Sequence, residues 1–165
     1  MIKTKEEING MRIAGQLAAE VLEMITAFVV PGTSTEELDQ RCHDYIVNTQ
    51  SAIPANVGYK GYEKTVCSSV NQVICHGIPS KDKVLKNDDF INIDVTVLKD
   101  GWHGDTSKMS TVGKSKPHNE RVVKITQECL YKAIEAVKHS SFLVDIVNAI
   151  QTHAANNQYP SPIPI

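Results

Sequence analysis

The stretch FINIDVTVLKDGWHGDTSKM, residues 90–109, contains the clearest structural signal in the chain. Phe90–Leu98 alternates apolar and polar residues and is rich in β-branched side chains, which is typical of a half-buried strand. Lys99-Asp100-Gly101 then reads as a tight hairpin turn. Trp102–Val112 returns as the partner strand. These residues predict an antiparallel β-hairpin.

The two arms of this hairpin each carry one aspartate, Asp94 and Asp105. If Asp100-Gly101 forms a two-residue loop, Thr96 faces Asp105, and the carboxylates become diagonal neighbours about 7–8 Å apart at the backbone. Side chains at that distance can converge on metal ions about 3.5–4 Å apart. A three-residue loop would place them on opposite faces, because a one-residue slip inverts the pattern. The alternative to a metal site is a solvated sheet face with two surface carboxylates.

A second group of candidate residues is CHGIP, Cys75–Pro79. His76 stands in a tight loop from which it can reach over a sheet and donate a hydrogen bond to a polarised carbonyl. The alternative is a loop histidine bonded to backbone. Cys67, Cys75 and His76 could also be interpreted as a soft metal site, although their spacing matches no zinc module.

The rest of the chain predicts helices around short strands, and hence an α+β fold. Capping-box spacing occurs at Thr4 and Glu7 and again at Ser34 and Glu37, each pair preceding an amphipathic helix. Further elements are strand candidates at 64–70 and 72–75 and two helices marked by apolar residues at 122–137 and 143–150. Residues 155–165 contain three prolines and are predicted to form an irregular tail after a domain of residues 1–154.

Composition narrows the function classes. The 165 residues suit one domain, and the net charge of −2 gives no basis for a nucleic-acid or membrane-surface partner. The N-terminus has no apolar segment typical of a secretory signal. The four cysteines form no C-x-x-C pair and no disulfide framework, which indicates a reducing compartment, the cytoplasm.

Several motifs occur in a fixed order along the chain, and together they resemble the bacterial and organellar type I methionine aminopeptidases. The motifs are MRIAGQLAAEVLEMI (11–25), GYKGY (58–62), CSSVN (67–71), CHGIP (75–79), NIDVTV (92–97) and HGDTSKM (103–109). The likeness extends from about Ile2 to Gln151 and is taken to cover the N-terminal half of that family's domain. It favours the methionine enzymes over the prolidase-like and creatinase-like proteins that share the fold.

The resemblance implies a truncated pita-bread fold, with an antiparallel sheet and flanking helices. It implies removal of the initiator methionine from nascent chains by a hydroxide bound to two divalent ions of Co, Mn, Fe or Zn type. By position, the implied roles are metal ligation by Asp94 and Asp105, catalysis by His76, a methionine pocket lined by Tyr59, Tyr62, Cys67 and His76, and a monovalent cation at Asn71 and Val73.

The chain also departs from the family pattern. A Gly-His-Gly-Ile-Gly segment and two later glutamates, which supply three of the five expected metal ligands, do not occur in it. Gln72 stands where a glutamate is usual, and Asn56 where a pocket cysteine is frequent. His139-Ser140-Ser141 replaces the usual Pro-Gly turn.

These departures predict a chain that is inactive or incomplete alone, with at most partial metal occupancy. The alternatives are a non-catalytic binding module of the same fold and a fragment of a broken gene. An exposed sheet edge would favour self-association.

Overall fold

The structure is a computed structural model that describes residues 2–139 and 141–159. The chain falls into two compact units, which meet between Ser115 and Lys116. This division lies inside the predicted 1–154 domain. Each unit is described by itself below.

Helix α1, Lys5–Thr26, begins at the predicted capping box. The Thr4 side chain accepts a hydrogen bond from the Glu7 amide at 3.2 Å, and the Glu7 carboxylate accepts one from the Thr4 amide at 2.8 Å. These two bonds satisfy donors that have no partner within the helix. The helix buries a stripe of small and branched apolar residues, namely Ala14, Ala18, Val21, Leu22 and Ile25.

Helix α2, Thr35–Asp44, begins in the same way, with Ser34 and Glu37 forming the box. A π-helical turn, Tyr45–Thr49, continues it. Leu38, Cys42 and Ile46 are fully buried at helical spacing and join the core of the first unit. Both predicted N-terminal helices are thus confirmed, because their caps and apolar stripes are local features of the sequence.

In the described residues, four antiparallel strands form one sheet, namely β1 (Ile53–Pro54), β2 (Val66–Val70), β3 (Phe90–Lys99) and β4 (Trp102–Thr111). Strand β3 lies in the middle. One side of β3 pairs with β4, and the other side pairs with β1 near one end and with β2 along the rest. The antiparallel sheet and flanking helices agree with the predicted fold class.

The two faces of the sheet differ in what covers them. Ile91, Ile93, Val95 and Val97 are buried in the core with residues of α1 and α2. Gly104 of β4 allows the closest approach, since a Cβ there would lie 2.0 Å from the Ala14 carbonyl oxygen of α1. The helices therefore cover one face, and the opposite face carries the polar residues of β3.

The strand predicted at Gln72–Cys75 is wrong. Asn71 adopts a positive φ of 54°, and the chain turns back directly after β2, with the Val73 amide donating to the Val70 carbonyl at 3.2 Å. Asparagine tolerates this left-handed conformation, whereas a continuing strand excludes it. Residues 72–76 are exposed and belong to a loop.

The second unit contains α3, Pro117–Ala136, and α4, Leu143–Asn156, as a packed pair. Pro117 occupies the start of α3, where its missing N–H costs nothing. Helix α4 extends two residues into the predicted tail, and Pro160, Pro162 and Pro164 lie outside the described residues. Across residues 2–139 and 141–159, no helix is both long and apolar enough to cross a membrane.

Candidate metal centre and substrate pocket

The hairpin has the register that a metal site requires. Asp100 and Gly101 both have positive φ, 49° and 84°, which is the signature of a two-residue type I′ turn. The Cα partners are Lys99 with Trp102 and Thr96 with Asp105. The three-residue alternative is therefore excluded.

Asp94 and Asp105 consequently lie on the same face of the sheet as diagonal neighbours. Asp94 pairs with Ser107, and Asp105 pairs with Thr96, one step further along the same face. Asp94 is half-buried and Asp105 is exposed. This face is the one that α1 and α2 leave uncovered.

The electrostatics of the pair favour a cation. Burial raises the pKa of the Asp94 carboxyl, and the neighbouring Asp105 charge and a shared hydrogen bond raise it further. The His76 side chain is near enough to act in the opposite direction and lower the same pKa. Two carboxylates this close repel each other when both are ionised, and a bound divalent cation removes that repulsion.

The loop that carries His76 is held against the outer edge of β2. The Ser68 amide donates to the Gly77 carbonyl at 2.7 Å, and the Gly77 amide donates to the Ser69 hydroxyl at 3.2 Å. A Cβ at Gly77 would lie 2.2 Å from the Ser68 oxygen, so only glycine fits here. Within the described chain, neither ring nitrogen of His76 makes a hydrogen bond, which leaves the exposed imidazole available to a ligand.

Tyr62 and Cys67 lie beside this site. Cys67 pairs with Asp94 across β2 and β3, so the two side chains share a face. The Tyr62 hydroxyl donates to the Val66 carbonyl at 2.8 Å. Burial raises the pKa of the Tyr62 phenol, and the adjacent Cys67 raises it further. Tyr59, by contrast, is 64% exposed, so it contributes at most the rim of a pocket.

The residues assigned to a monovalent cation, Asn71 and Val73, form the turn after β2. The Asn71 side chain accepts from the Phe90 amide at 3.1 Å and donates to the Asp89 carboxylate at 2.8 Å. Its amide group is therefore committed to the β2–β3 connection, and a cation here would be bound by backbone carbonyls. The cation itself stays a prediction.

The donor set fits a divalent ion incompletely. In the described part of the chain, no three or more His, Cys, Asp or Glu side chains are placed to hold one metal, so the soft site of Cys67, Cys75 and His76 is wrong. Asp94 and Asp105 offer hard oxygen ligands on one face, which suit the ions implied by the resemblance. Two protein ligands leave the remaining coordination positions to water or to other groups.

Asp39 near this site was missed by the sequence interpretation. It lies on the buried face of α2 beside Leu38, and its carboxylate accepts hydrogen bonds from the amides of Thr65 and Val66 at 2.8 and 2.9 Å. Burial raises its pKa, although the two backbone donors oppose this. The available signal was a charged residue on the apolar stripe of an amphipathic helix.

Comparison with known proteins agrees with this geometry. Residues 9–164 match metallopeptidase family M24. Methionine aminopeptidase of Escherichia coli K12 is 59% identical over 150 residues, which are 91% of this chain and 57% of that protein. Methionine aminopeptidase of Buchnera aphidicola subsp. Acyrthosiphon pisum is 48% identical over 159 residues, which are 96% of this chain and 60% of that protein. The chain thus spans less than two thirds of these curated relatives.

Solved structures give the same result. Methionine aminopeptidase from Rickettsia prowazekii superposes with a TM-score of 0.94 at 46% identity, covering 97% of this chain and 64% of that one. A prolidase from Pyrococcus furiosus has a TM-score of 0.80 at 21% identity, covering 96% of this chain and 45% of that one, which shows a common fold alone. With the hairpin register, the uncovered carboxylate face and the family match in agreement, the chain belongs to metallopeptidase family M24 and has the α+β pita-bread type of fold.

Proposed function

We propose that this chain carries part of the site of a methionine aminopeptidase, which removes the N-terminal methionine from nascent peptides. The observation that supports this most is the placement of Asp94 and Asp105 as diagonal neighbours on the uncovered face, with His76 within electrostatic reach. The identity to methionine aminopeptidases over 91% of the chain favours that substrate over the substrates of other M24 proteins.

Asp94 and Asp105 would hold the divalent metal, which is Co, Mn, Fe or Zn in the proposal, two ions in a complete site and at most partial occupancy here. When bound, such an ion polarises a carbonyl and lowers the pKa of water. The half-buried Asp94 would fix the ion's position, and the exposed Asp105 would close on it from the adjacent strand.

The remaining residues would bind and orient the peptide. His76, on a loop held to β2 through Gly77, would donate a hydrogen bond to the carbonyl of the first peptide bond. Cys67, on the same face as Asp94, and Tyr62, close to both, would line a pocket for the methionine side chain, whose sulfur interacts favourably with an aromatic edge. Tyr59 would contact it from the rim.

Turnover is expected to be negligible for the 165-residue chain alone. The resemblance implies five metal ligands, and two of them occur in this sequence. The test is release of methionine from Met-Gly peptides with added Mn²⁺ or Co²⁺, with Asp105→Ala as the control. Substantial turnover that Asp105→Ala abolishes would show that the chain has a complete site after all.

A non-catalytic binding module of the same fold is the second candidate. It is favoured by the finding that, in the described residues, fewer than three potential ligands converge. Binding of methionine without turnover would support it. A third possibility, a fragment of a broken gene with no folded function, would be excluded by cooperative unfolding.

Location and self-association complete the proposal. Cys42, Cys67, Cys75 and Cys129 are free thiols, which suits the reducing cytoplasm. Among the described strands, β4 pairs with β3 alone, so its outer edge offers backbone groups to a neighbouring strand. We propose that two copies associate through this edge. No nucleic-acid or membrane partner is proposed.

A further inference from the structure

Thr65, the residue before β2, has a hydrogen-bond partner at each of its polar atoms. Its amide donates to Asp39 Oδ1 at 2.8 Å, its carbonyl accepts from Asn56 Nδ2 at 3.0 Å, and its hydroxyl lies 3.0 Å from His43 Nδ1. Thr65 is 2% exposed, so each of these partners replaces water that cannot reach it. We call Thr65 with Asp39, His43 and Asn56 the Thr65 clamp.

The clamp continues directly into the candidate pocket. The Val66 amide donates to the same Asp39 oxygen at 2.9 Å, and the Val66 carbonyl accepts from the Tyr62 hydroxyl at 2.8 Å. The next residue, Cys67, pairs with Asp94. This short segment therefore connects to both residues, to Tyr62 through the hydroxyl–carbonyl hydrogen bond and to Cys67 through the chain.

Of the three partners of Thr65, Asp39 and His43 belong to α2, whereas Asn56 lies in a loop and connects that loop to the strand. The loop that carries it is attached to β3, where the Ala55 amide donates to the Thr96 carbonyl at 3.0 Å. The Gly58 amide donates to the Tyr62 carbonyl at 2.8 Å further along the same loop. The Asn56–Thr65 hydrogen bond thus closes the loop that ends in Tyr62 onto the start of β2.

We propose that Asn56 is a positioning residue, which acts through Thr65 to hold Tyr62 and Cys67 beside Asp94. This inference rests on the proposed function in one respect, namely that the space between these side chains receives a methionine side chain. The geometric part of the inference, that Asn56 controls the placement of Cys67, stands independently of any ligand.

The reactivity of the Cys67 thiol reports on this placement. Cys67 is half-buried, and burial raises its pKa. Asn56→Asp is nearly isosteric, but it removes the amide donor and puts a carboxylate against the Thr65 carbonyl. Asn48→Asp makes the same chemical change at an exposed site on the π-helical turn and serves as the matched control.

The experiment measures the rate of iodoacetamide alkylation at each cysteine by peptide mass spectrometry on the folded 165-residue chain. We expect Asn56→Asp to accelerate labelling of Cys67 by about fivefold, because local opening no longer has to break the Asn56–Thr65 hydrogen bond. Cys42 is fully buried, and burial raises its pKa to about 12, so it should stay unlabelled in every variant. Asn48→Asp should match the wild type.

Two results would overturn the proposal. Equal Cys67 rates in wild type, Asn56→Asp and Asn48→Asp would show that Asn56 does not control this segment. Acceleration of Cys67 and Cys42 together would show a general loss of stability instead of a positioning role. If Asn56→Asp does not fold, the labelling rates of Cys67 and Cys42 are measured in Asn56→Ser instead. This substitution shortens the side chain that carries the donor.

Calorimetric titration with methionine separates this inference from the proposed function. Methionine binding by wild type that weakens in Asn56→Asp, with faster Cys67 labelling, supports both. Faster labelling without methionine binding by the wild type supports the clamp and contradicts the pocket. Methionine binding that is equal in both proteins, with unchanged labelling, contradicts the clamp alone.

Discussion

Asp94 stands between Ile93 and Val95 in the central strand, where an aspartate is unfavourable unless its charge is compensated. The structure gives it a polar face, a diagonally placed carboxylate on β4 and a histidine within electrostatic reach, but no ion pair with Lys or Arg in the described residues. A cation is the partner that would compensate both carboxylates at once.

The first prediction is weak binding of a divalent metal at this pair. Calorimetric titration with Mn²⁺ should give a binding heat that the double variant Asp94→Asn with Asp105→Asn removes, because two carboxylates supply all the protein ligands. Asp100→Asn is the matched control, since it removes one charge from the same hairpin at a turn position that asparagine tolerates. Mn²⁺ binding that persists in the double variant would place the metal elsewhere.

The second prediction concerns Asp39, whose carboxylate satisfies two buried backbone donors. Asp39→Ala leaves the Thr65 and Val66 amides without partners and should lower the free energy of unfolding by about 1–3 kcal/mol. Asp39→Asn keeps an accepting oxygen and carries no charge, so at pH 7 it should equal or exceed the wild type. Urea unfolding of the three proteins measures both effects.

The pH dependence of the same residue has a definite sign. Burial raises the Asp39 pKa above its ordinary value of 3.8, so the folded state binds the proton more tightly than the unfolded state. The associated stability is fully present below pH 3.8 and is lost as the pH rises through the folded pKa. This decline should be absent from Asp39→Asn. An equal decline in both proteins would assign it to another group.

At the scale of secondary-structure elements, the contact between α1 and β4 depends on Gly104, where backbone meets backbone. Gly104 faces the Ala14 backbone so closely that a Cβ would lie 2.0 Å from its carbonyl oxygen. The atoms in conflict are backbone atoms of two regular elements, which cannot rotate away as a side chain does. The packing of this helix on the sheet therefore excludes any larger residue.

The third prediction compares Gly104, which faces this interface, with Gly15, which lies next to Ala14 but faces open space. Gly104→Ala should lower the free energy of unfolding by about 2 kcal/mol or more, because α1 must move away from β4. Gly15→Ala, in α1 with nothing within 4 Å of the added Cβ, should raise stability by about 0.5–1 kcal/mol through helix propensity. Thermal unfolding followed by circular dichroism measures both. Equal effects of the two substitutions would contradict this account of the contact.

At the scale of the whole molecule, the two edges of the sheet differ in whether their outward backbone groups have hydrogen-bond partners. Two outward amides of β2 are occupied, since Val66 donates to Asp39 and Ser68 donates to Gly77. Backbone groups alternate in direction along an antiparallel strand, so the residue between Val66 and Ser68, Cys67, bonds inward to Asp94. The backbone groups of Asp94 therefore point towards β2, and those of Ser107, which pairs with Asp94 on β4, point away from β3. The outer edge of β4 thus presents backbone N–H and C=O groups with which a further strand could pair.

The fourth prediction is self-association through that edge. Sedimentation over a wide concentration range should show a dimer that dissociates on dilution. Ser107→Pro removes an outward amide without removing a bond to β3, so it should shift the protein to monomer and leave the fold intact. Ser110→Pro is the matched control, because its amide points inward and its loss should destabilise the hairpin instead. A concentration-independent wild-type monomer would contradict the proposal.

Features that depend on neighbours in sequence could be predicted. The helix starts follow from Thr4 with Glu7 and Ser34 with Glu37, which bond over three residues. The hairpin turn follows from Asp100-Gly101, and the structure selected its two-residue register over the three-residue alternative. The common face of Asp94 and Asp105 is a direct consequence of that register.

Features that depend on distant residues required the tertiary structure. The Asn71 turn, which replaced a predicted strand, is held by Asp89 and Phe90, 18 and 19 residues away. The Asp39 and Asn56 contacts join a helix and a loop to Thr65 across 26 and 9 residues.

The alternation of apolar and polar residues and the helix-capping residues are visible in the sequence. They specify the strands, the helices and the positions of the two carboxylates along the chain. Whether a loop bonds to a strand edge depends instead on which buried backbone N–H groups the sheet leaves without a partner. For that reason the sequence alone predicted the hairpin and its two aspartates, whereas only the tertiary structure fixed the register that puts them on one face and placed His76, Tyr62 and Cys67 around them.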